Sequence, residues 1–308
     1  PLGAAVHIDA AQSAMPTGPV THNKAWIEMI HRYLAMTVGF LILTLALSSA
    51  WQRFKGQYSF HGAWQVKPFW AWLTLLWVCM QGAFGALTVT LKLSPPIVTL
   101  HLLGGIGLLV LLSAQVAWKP RSQREPIHSS HRNMIWVAAG LLTVQIALGA
   151  WVSTNYAVLA CAEFPTCQGS WWPPMDFDHG FTVLRELGAG KDGGYLPFAA
   201  LTAIHMVHRI GAAILVLAIG VLVWRLWVTG DEALRRWSMA LTGAIAWQVA
   251  TGLGNVLFDW PLLAAVSHTG GAAMLLVIFS ILLTRAWPQP AAIVTAVSSS
   301  RRGMRAAS

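Results

Sequence analysis

The chain has 308 residues, is 56% hydrophobic and only 10% charged, and carries a net charge of +9. At a mean hydropathy of +0.58 it is too apolar for an ordinary soluble domain and reads as a membrane protein. The positive charge is not a nucleic-acid footprint, because the basic residues fall in alternate loops between apolar runs: Arg53, Lys55 and Lys67; then Lys119, Arg121, Arg124 and Arg132; then Arg225, Arg235 and Arg236; and a tail with Arg285, Arg301, Arg302 and Arg305.

Apolar runs long enough to cross about 30 Å of hydrocarbon, which takes ~20 helical residues, fall at 26–50, 68–91, 97–118, 132–154, 200–227, 237–258 and 261–287. They predict an all-α integral membrane protein with seven spans in this chain. The positive-inside rule puts the basic loops in the cytoplasm, or in the matrix of an organelle, and the N-terminus outside. Trp51, Trp118, Trp227 and Trp287 close spans on the basic side, and Trp26 and Trp260 mark the opposite boundary, as amphipathic indoles do at headgroup depth.

Residues 1–25 are rich in Pro, Gly, Ala and Thr without periodicity and read as an outer loop or a trimmed end. The first span carries Glu28, His31 and Arg32 near its outer end, with His31 ~8–10 Å inside the boundary at the helical rise. The next two spans form a tight outer hairpin through Lys92-Leu-Ser-Pro-Pro96, whose prolines stop one helix and open the next. Gln81 lies mid-span and His101 follows twenty residues later. Span 132–154 leads to an outer loop with Cys161, Pro165 and Cys167, and span 200–227 carries His205-Met-Val-His208-Arg209. The last two spans turn through Phe258-Asp-Trp-Pro261, and Gln248 and His268 are again twenty residues apart.

His31-Arg32 aligns with His208-Arg209 at an offset of 177, and Gln81 with His101 aligns on Gln248 with His268 at an offset of 167. The chain therefore reads as an internal duplication. Residues 1–131 form an N-terminal half-bundle, 132–290 a C-terminal four-helix half-bundle, and 291–308 a basic cytoplasmic tail. Nothing in the first half matches 132–174, so the duplication predicts one more helix and outer loop, ~43 residues, before Pro1 and eight spans in the full-length protein.

Ionisable groups inside spans are costly and mark candidate sites. Two pairs of in-span histidines, His31 with His101 and His208 with His268, lie near the outer ends of their helices. That suits ligation of two haem irons by paired imidazoles. One such histidine would more simply hydrogen-bond a neighbouring helix; four in a duplicated pattern favour ligation. Zinc would draw cysteine, carboxylate or a third histidine into closer spacing. His7, His22, His61, His128, His131 and His179 fall in loops and read as solvated.

Glu28 has His205 as its half-repeat counterpart, so the two sites have diverged. It can carry protons beside an iron ligand or anchor a helix N-terminus, and the two readings stand level. His205 reads first as a polar contact. Arg32 and Arg209 project ~100° round the helix from their histidines, towards haem propionates or lipid phosphate alike. Gln81 and Gln248 read as interhelical hydrogen-bonders. Cys161 and Cys167, on the oxidising side, read as a disulfide staple rather than an exchanging pair. Cys79 reads as packing alone in its span.

Together, Glu28-x-x-His31-Arg32, Gln81-Gly-Ala-Phe-Gly-Ala-Leu-Thr88 leading to Pro95-Pro-Ile-Val-Thr-Leu-His101, Leu159-Ala-Cys-Ala-Glu-Phe-Pro-Thr-Cys167, His208-Arg209, and Trp247-Gln248 leading to His268 resemble the haem A synthase family over nearly the whole chain. The resemblance implies an eight-helix bundle of two four-helix halves. It also implies an enzyme that oxidises the C8 methyl of haem O to the formyl of haem A for terminal oxidases, by successive hydroxylations and loss of water. By that resemblance His208 and His268 ligate haem b, His31 and His101 hold haem O or haem A, and Glu28 assists at the substrate site. The sequence departs from the fuller family pattern in lacking the first helix and its outer cysteine loop.

The expected partners are the lipid bilayer, haem O, an electron donor, and haem O synthase or terminal oxidase subunits, with a homo-oligomer left open. The expected location is the bacterial cytoplasmic membrane, ahead of the mitochondrial inner membrane. The alternative is a non-enzymatic di-haem cytochrome b that passes electrons through the same histidines, and a weaker third reading is a haem carrier or oxidase-assembly factor. Glu28, with no carboxylate at position 205, favours two unlike sites and hence the enzyme.

Overall fold

The computed structural model describes residues 22–55, 68–118, 125–185, 187–188, 190 and 194–289. Lys67, Lys119, Arg121, Arg124, His7, His61 and the tail 291–308 lie outside the described residues. Long helices fill all seven apolar runs: α1 (His22–Phe54), α2 (Pro68–Thr90), α3 (Pro95–Ala117), α4 (Ser129–Thr154), α6 (Phe198–Val228), α7 (Glu232–Leu257) and α8 (Leu262–Arg285), with a short α5 (Phe177–Gly180) in the outer loop. Pro68 opens α2 and Pro95 and Pro96 open α3, where a missing N–H costs nothing.

Six of these helices are long and apolar enough to cross a membrane by length and composition alone. The exception is α7. Its 26 residues suffice in length, but it opens on Glu232, Arg235 and Arg236 and carries Thr242, Gln248, Thr251 and Asn255, so its apolar density is too low. The protein is an all-α, multi-pass membrane protein. Among the described residues a short parallel pairing joins β1 (Glu125–His128) to β2 (Ala286–Gln289), and an isolated antiparallel bridge joins Cys167 to Ser170.

The chain divides into two compact units, residues 1–79 and 80–308. In the first, α1 runs unbroken for 33 residues. In the second, α4, α6, α7 and α8 form a closed ring in which α4 packs on α6, α6 on α7, α7 on α8 and α8 back on α4. Helices α6 and α8 therefore stand across its diagonal. Helix α3 packs on the outside of this ring, against α8 and α4. The ring is filled away from the histidines by Ile135, Leu142, Ile219, Leu222, Leu275 and Phe279. Lipid tails are as apolar as leucine, so this packing gains dispersion and fit rather than escape from water.

The hairpins α2/α3 and α7/α8 repeat one another at the offset of 167. Lys92 and Leu93 turn through left-handed φ values of 50° and 59°, and their counterparts Asp259 and Trp260 through 54° and 59°. The Leu93 N–H donates to the Thr88 carbonyl at 2.8 Å, as the Trp260 N–H does to the Asn255 carbonyl at 2.9 Å. Non-glycine residues rarely adopt this conformation, so the recurrence marks one turn used twice. Deeper in the bundle Ser113 Oγ lies 3.0 Å from Ser280 Oγ, across 167 residues of sequence. Ser280 Oγ also donates to the Val110 carbonyl at 3.1 Å. A residue that touches its own repeat copy lies on the pseudo-two-fold axis, which therefore passes between α3 and α8.

Between α4 and α6 the outer loop folds on itself. A 3-10 turn (Ala157–Ala160) leads into a disulfide joining Cys161 to Cys167, and both cysteines are fully buried. Asp176 caps α5, its Oδ1 accepting from the His179 N–H at 3.1 Å and its Oδ2 lying 2.8 Å from His179 Nδ1. Trp151 Nε1 on α4 donates to the Gly180 carbonyl at 2.9 Å. A Cβ on Gly180 would come within 2.9 Å of the Ala200 carbonyl, so the turn rests directly on α6. His179 is thus engaged rather than merely solvated, its ring and N–H both held by the Asp176 carboxylate, and so is His128, whose ring caps α4 by accepting an orphan amide, the Ser130 N–H, at 3.2 Å; both correct the sequence reading.

Ser280→Ala should lower the thermal stability of the detergent-solubilised protein by about 1 kcal/mol, the usual net value of one hydrogen bond; an unchanged melting curve would remove the axis contact from the fold's energetics. The His179 backbone N–H and imidazole hold the Asp176 carboxyl below the ordinary aspartate range. A carboxylate with a depressed folded pKa adds stability that is complete above its unfolded value and lost as pH falls through the folded one. Amide protection factors around 176–181, corrected for the intrinsic pH dependence of exchange, should therefore fall below ~pH 4, near the unfolded aspartate value. Asp176→Ala should exchange fast already at pH 7, with no acid step.

Candidate functional site

His101 on α3, His208 on α6 and His268 on α8 each lie in the first three turns of their helix and share one environment. Gln81 Nε2 on α2 donates to the backbone carbonyl of His101 at 2.8 Å. Gln145 on α4 does the same for His208 at 2.9 Å, and Gln248 on α7 for His268 at 2.9 Å. Four residues beyond each glutamine is a glycine whose added Cβ would meet the ring, 3.2 Å from His101 for Gly85, 3.1 Å from His208 for Gly149 and 3.1 Å from His268 for Gly252. Three residues beyond each histidine is a second glycine, Gly104, Gly211 or Gly271, where a Cβ would run into the glutamine side chain.

Gln-x-x-x-Gly on one helix thus locks into His-x-x-Gly on the next. Backbone and side chain approach this closely only where no Cβ intervenes. On α1 the pattern breaks, since Leu34 stands three residues after His31.

His208 and His268 belong to α6 and α8, the two diagonal helices of the ring. His268 Nδ1 is 3.0 Å from Thr251 Oγ1, whose own proton goes to the Trp247 carbonyl at 2.8 Å. The hydroxyl oxygen is left to accept from Nδ1–H, and Nε2 becomes the nitrogen with a lone pair to offer. Gln145 Nε2 stands 2.9 Å from His208 Nδ1, and Gln145 Oε1 is buried without a hydrogen-bond partner. Two imidazoles on diagonal helices, each beside a glycine notch and bonded to amide or hydroxyl groups, are a donor set that would hold a haem iron.

Arg209, one residue past His208, is turned to the outer loop. Its Nη1 donates to the Thr166 carbonyl at 3.0 Å, its Nη2 to the carbonyls of Cys161 at 3.1 Å and Glu163 at 2.8 Å, and its Nε to His205 Nε2 at 3.3 Å. Four of the five guanidinium N–H groups are thereby engaged, and the disulfide loop is bound to the histidine-bearing helix. His205 is 3% exposed and serves as the polar contact expected of it.

In the first unit Arg32 Nη2 pairs with Glu28 Oε1 at 2.5 Å, both side chains about half exposed, and His31 is exposed. Cys79, expected to pack, is instead an exposed free thiol on α2, a place its weak polarity allows.

Gln145, Thr251 and the glycine pairs go beyond the sequence reading. Their signal is present in the chain as three copies of Gln-x-x-x-Gly followed by His-x-x-Gly, visible when helical hairpins rather than halves are aligned.

Comparison with known proteins gives the same residues a family. The Heme A synthase of Shewanella oneidensis is 37% identical over 273 residues, covering 86% of this chain and 78% of that protein. The Heme A synthase of Halalkalibacterium halodurans is 26% identical over 261 residues, 82% of this chain and 76% of that one. That of Rhodopseudomonas palustris is 26% identical over 306 residues, 92% and 75%. The COX15-CtaA family model, described as cytochrome oxidase assembly protein, matches residues 1–280, a stretch that holds every histidine hairpin described above, and the chain belongs to that family.

Proposed function

We propose that this protein is a haem A synthase, which oxidises the C8 methyl of haem O to the formyl of haem A. The observation that carries the reading is the pair His208 and His268, seated in glycine notches on diagonal helices, in a chain whose curated relatives bear that name. In this reading His208 and His268 hold haem b in the half 132–290, while His31 and His101 receive haem O and release haem A in the half 1–131. When bound, haem b supplies a one-electron redox couple inside the bilayer.

The chain's own residues do the rest. Gln145 and Gln248 hold the histidine backbones in register, Thr251 orients the His268 ring, and Arg209 binds the disulfide loop to α6. The apolar helices exclude bulk water from a reactive centre. Glu28 is the carboxylate assigned to moving a proton at the substrate site, with Arg32 as its counter-cation. Arg32 is also the better able of the two arginines to serve a propionate, since Arg209 is largely committed to loop carbonyls.

The second-half counterpart of Glu28 is His205, and it is occupied by Arg209. That inequality supports one catalytic and one electron-carrying site over a di-haem cytochrome b. The relatives are bacterial, which supports the bacterial cytoplasmic membrane with the basic loops inward. An electron donor, haem O synthase and terminal oxidase subunits are the partners such an activity calls for, and a homo-oligomer is compatible with it.

Acid extraction of the purified protein should release haem b with traces of haem O or haem A. His268→Ala should lose haem b, and His31→Ala should keep haem b while failing to retain haem O. Two equivalents of haem b and nothing else would make the protein a cytochrome. Loss of both haems from His31→Ala would abolish the division of roles.

A further inference from the structure

We propose that Gln81, Gln145 and Gln248 are positioning residues for the iron-binding imidazoles, and that the protein's repeating unit is a two-helix ligand hairpin in which a glutamine helix latches a histidine helix. This deepens the reading of haem ligation above and rests on it. Three hairpins carry the latch, α2/α3, α4/α6 and α7/α8, each with the amide-to-carbonyl bond at 2.8–2.9 Å and the ring over a glycine. A histidine carbonyl inside a helix already accepts one N–H from the following turn. The glutamine takes its second lone pair, which fixes the rotation and height of the histidine helix against its neighbour. The glycine beneath the ring then sets the plane of the imidazole.

One position inside the latch varies. Three residues after the glutamine stand Phe84, Leu148 and Thr251, and only Thr251 offers a hydroxyl, which sits 3.0 Å from His268 Nδ1. Accepting the Nδ1 proton raises the basicity of Nε2 and favours ferric over ferrous iron. The shared latch therefore places the ligand, and the variable residue tunes it.

The test uses the purified full chain with its bound haem b, read by electron paramagnetic resonance of the ferric form, by potentiometric titration and by haem affinity. Gln248→Leu and Gly252→Ala should each move the low-spin signal, which reports imidazole orientation, and weaken haem retention by roughly 10- to 100-fold, as loss of outer-shell partners does. Thr251→Val should shift the haem midpoint potential upward, and Thr251→Ser should return it to the wild-type value. Ser280→Ala, which loosens helix packing without touching an imidazole, should leave the signal in place. If Gln248→Leu and Gly252→Ala retain the wild-type signal while His268→Ala loses haem b, the positioning role is wrong and the ligand assignment stands. If His268→Ala keeps low-spin haem b, the ligand assignment itself fails. If Ser280→Ala moves the signal as far as Gln248→Leu does, the effect is general loosening and the latch is refuted. Should Gln248→Leu not accumulate, the near-isosteric Thr251→Val decides on its potential alone, an unshifted value counting against the proposal.

Discussion

A polar group carried into hydrocarbon must find its partner inside the protein, and this chain carries histidines and glutamines into it deliberately. The contact that reconciles them is the glutamine amide bonded to a histidine carbonyl, made three times. Each glutamine amide bonds the backbone oxygen of its histidine, and Gln145 also reaches the His208 ring at Nδ1. The glycines are part of the same solution. A Cβ at Gly149 or Gly252 would press on the ring, and one at Gly211 or Gly271 would displace the amide, so small residues are required on both sides of each contact.

Above this layer the outer loop is tied down by backbone carbonyls. Arg209 gathers three of them around a buried disulfide, so the residue next to an iron-ligand candidate is also the keystone of the loop that lies over α4 and α6. Position of the His208 helix and placement of the disulfide loop are in this way a single structural variable rather than two. On the opposite side of the histidines the ring is filled with aliphatic side chains and Phe279.

Much of this was readable before any coordinates. The helix ends agree with the apolar runs to within a few residues because prolines and charges bound them sharply, as at Pro68, Pro95 and Arg285. The half-repeat was legible because Gln81 to His101 and Gln248 to His268 share a separation of twenty. The hairpin repeat beneath it was hidden, since the outer loop stretches the third copy, Gln145 to His208, to 63 residues. Arg209 was misleading for a different reason: its partners are carbonyls of Cys161, Glu163 and Thr166, and backbone acceptors leave no mark in a sequence. Gln248 was legible as an interhelical hydrogen-bonder on α7, and it bonds His268 there together with Thr251.

The Ser113–Ser280 contact has an implication for history. In an ancestor of half the length, self-associated about a dyad, this serine would have met its own twin, and every substitution would have altered both partners at once. Fusion into one polypeptide released that coupling. From then on the two halves of the chain were free to specialise independently, which is how Glu28 and His205 can occupy matching places with unlike chemistry.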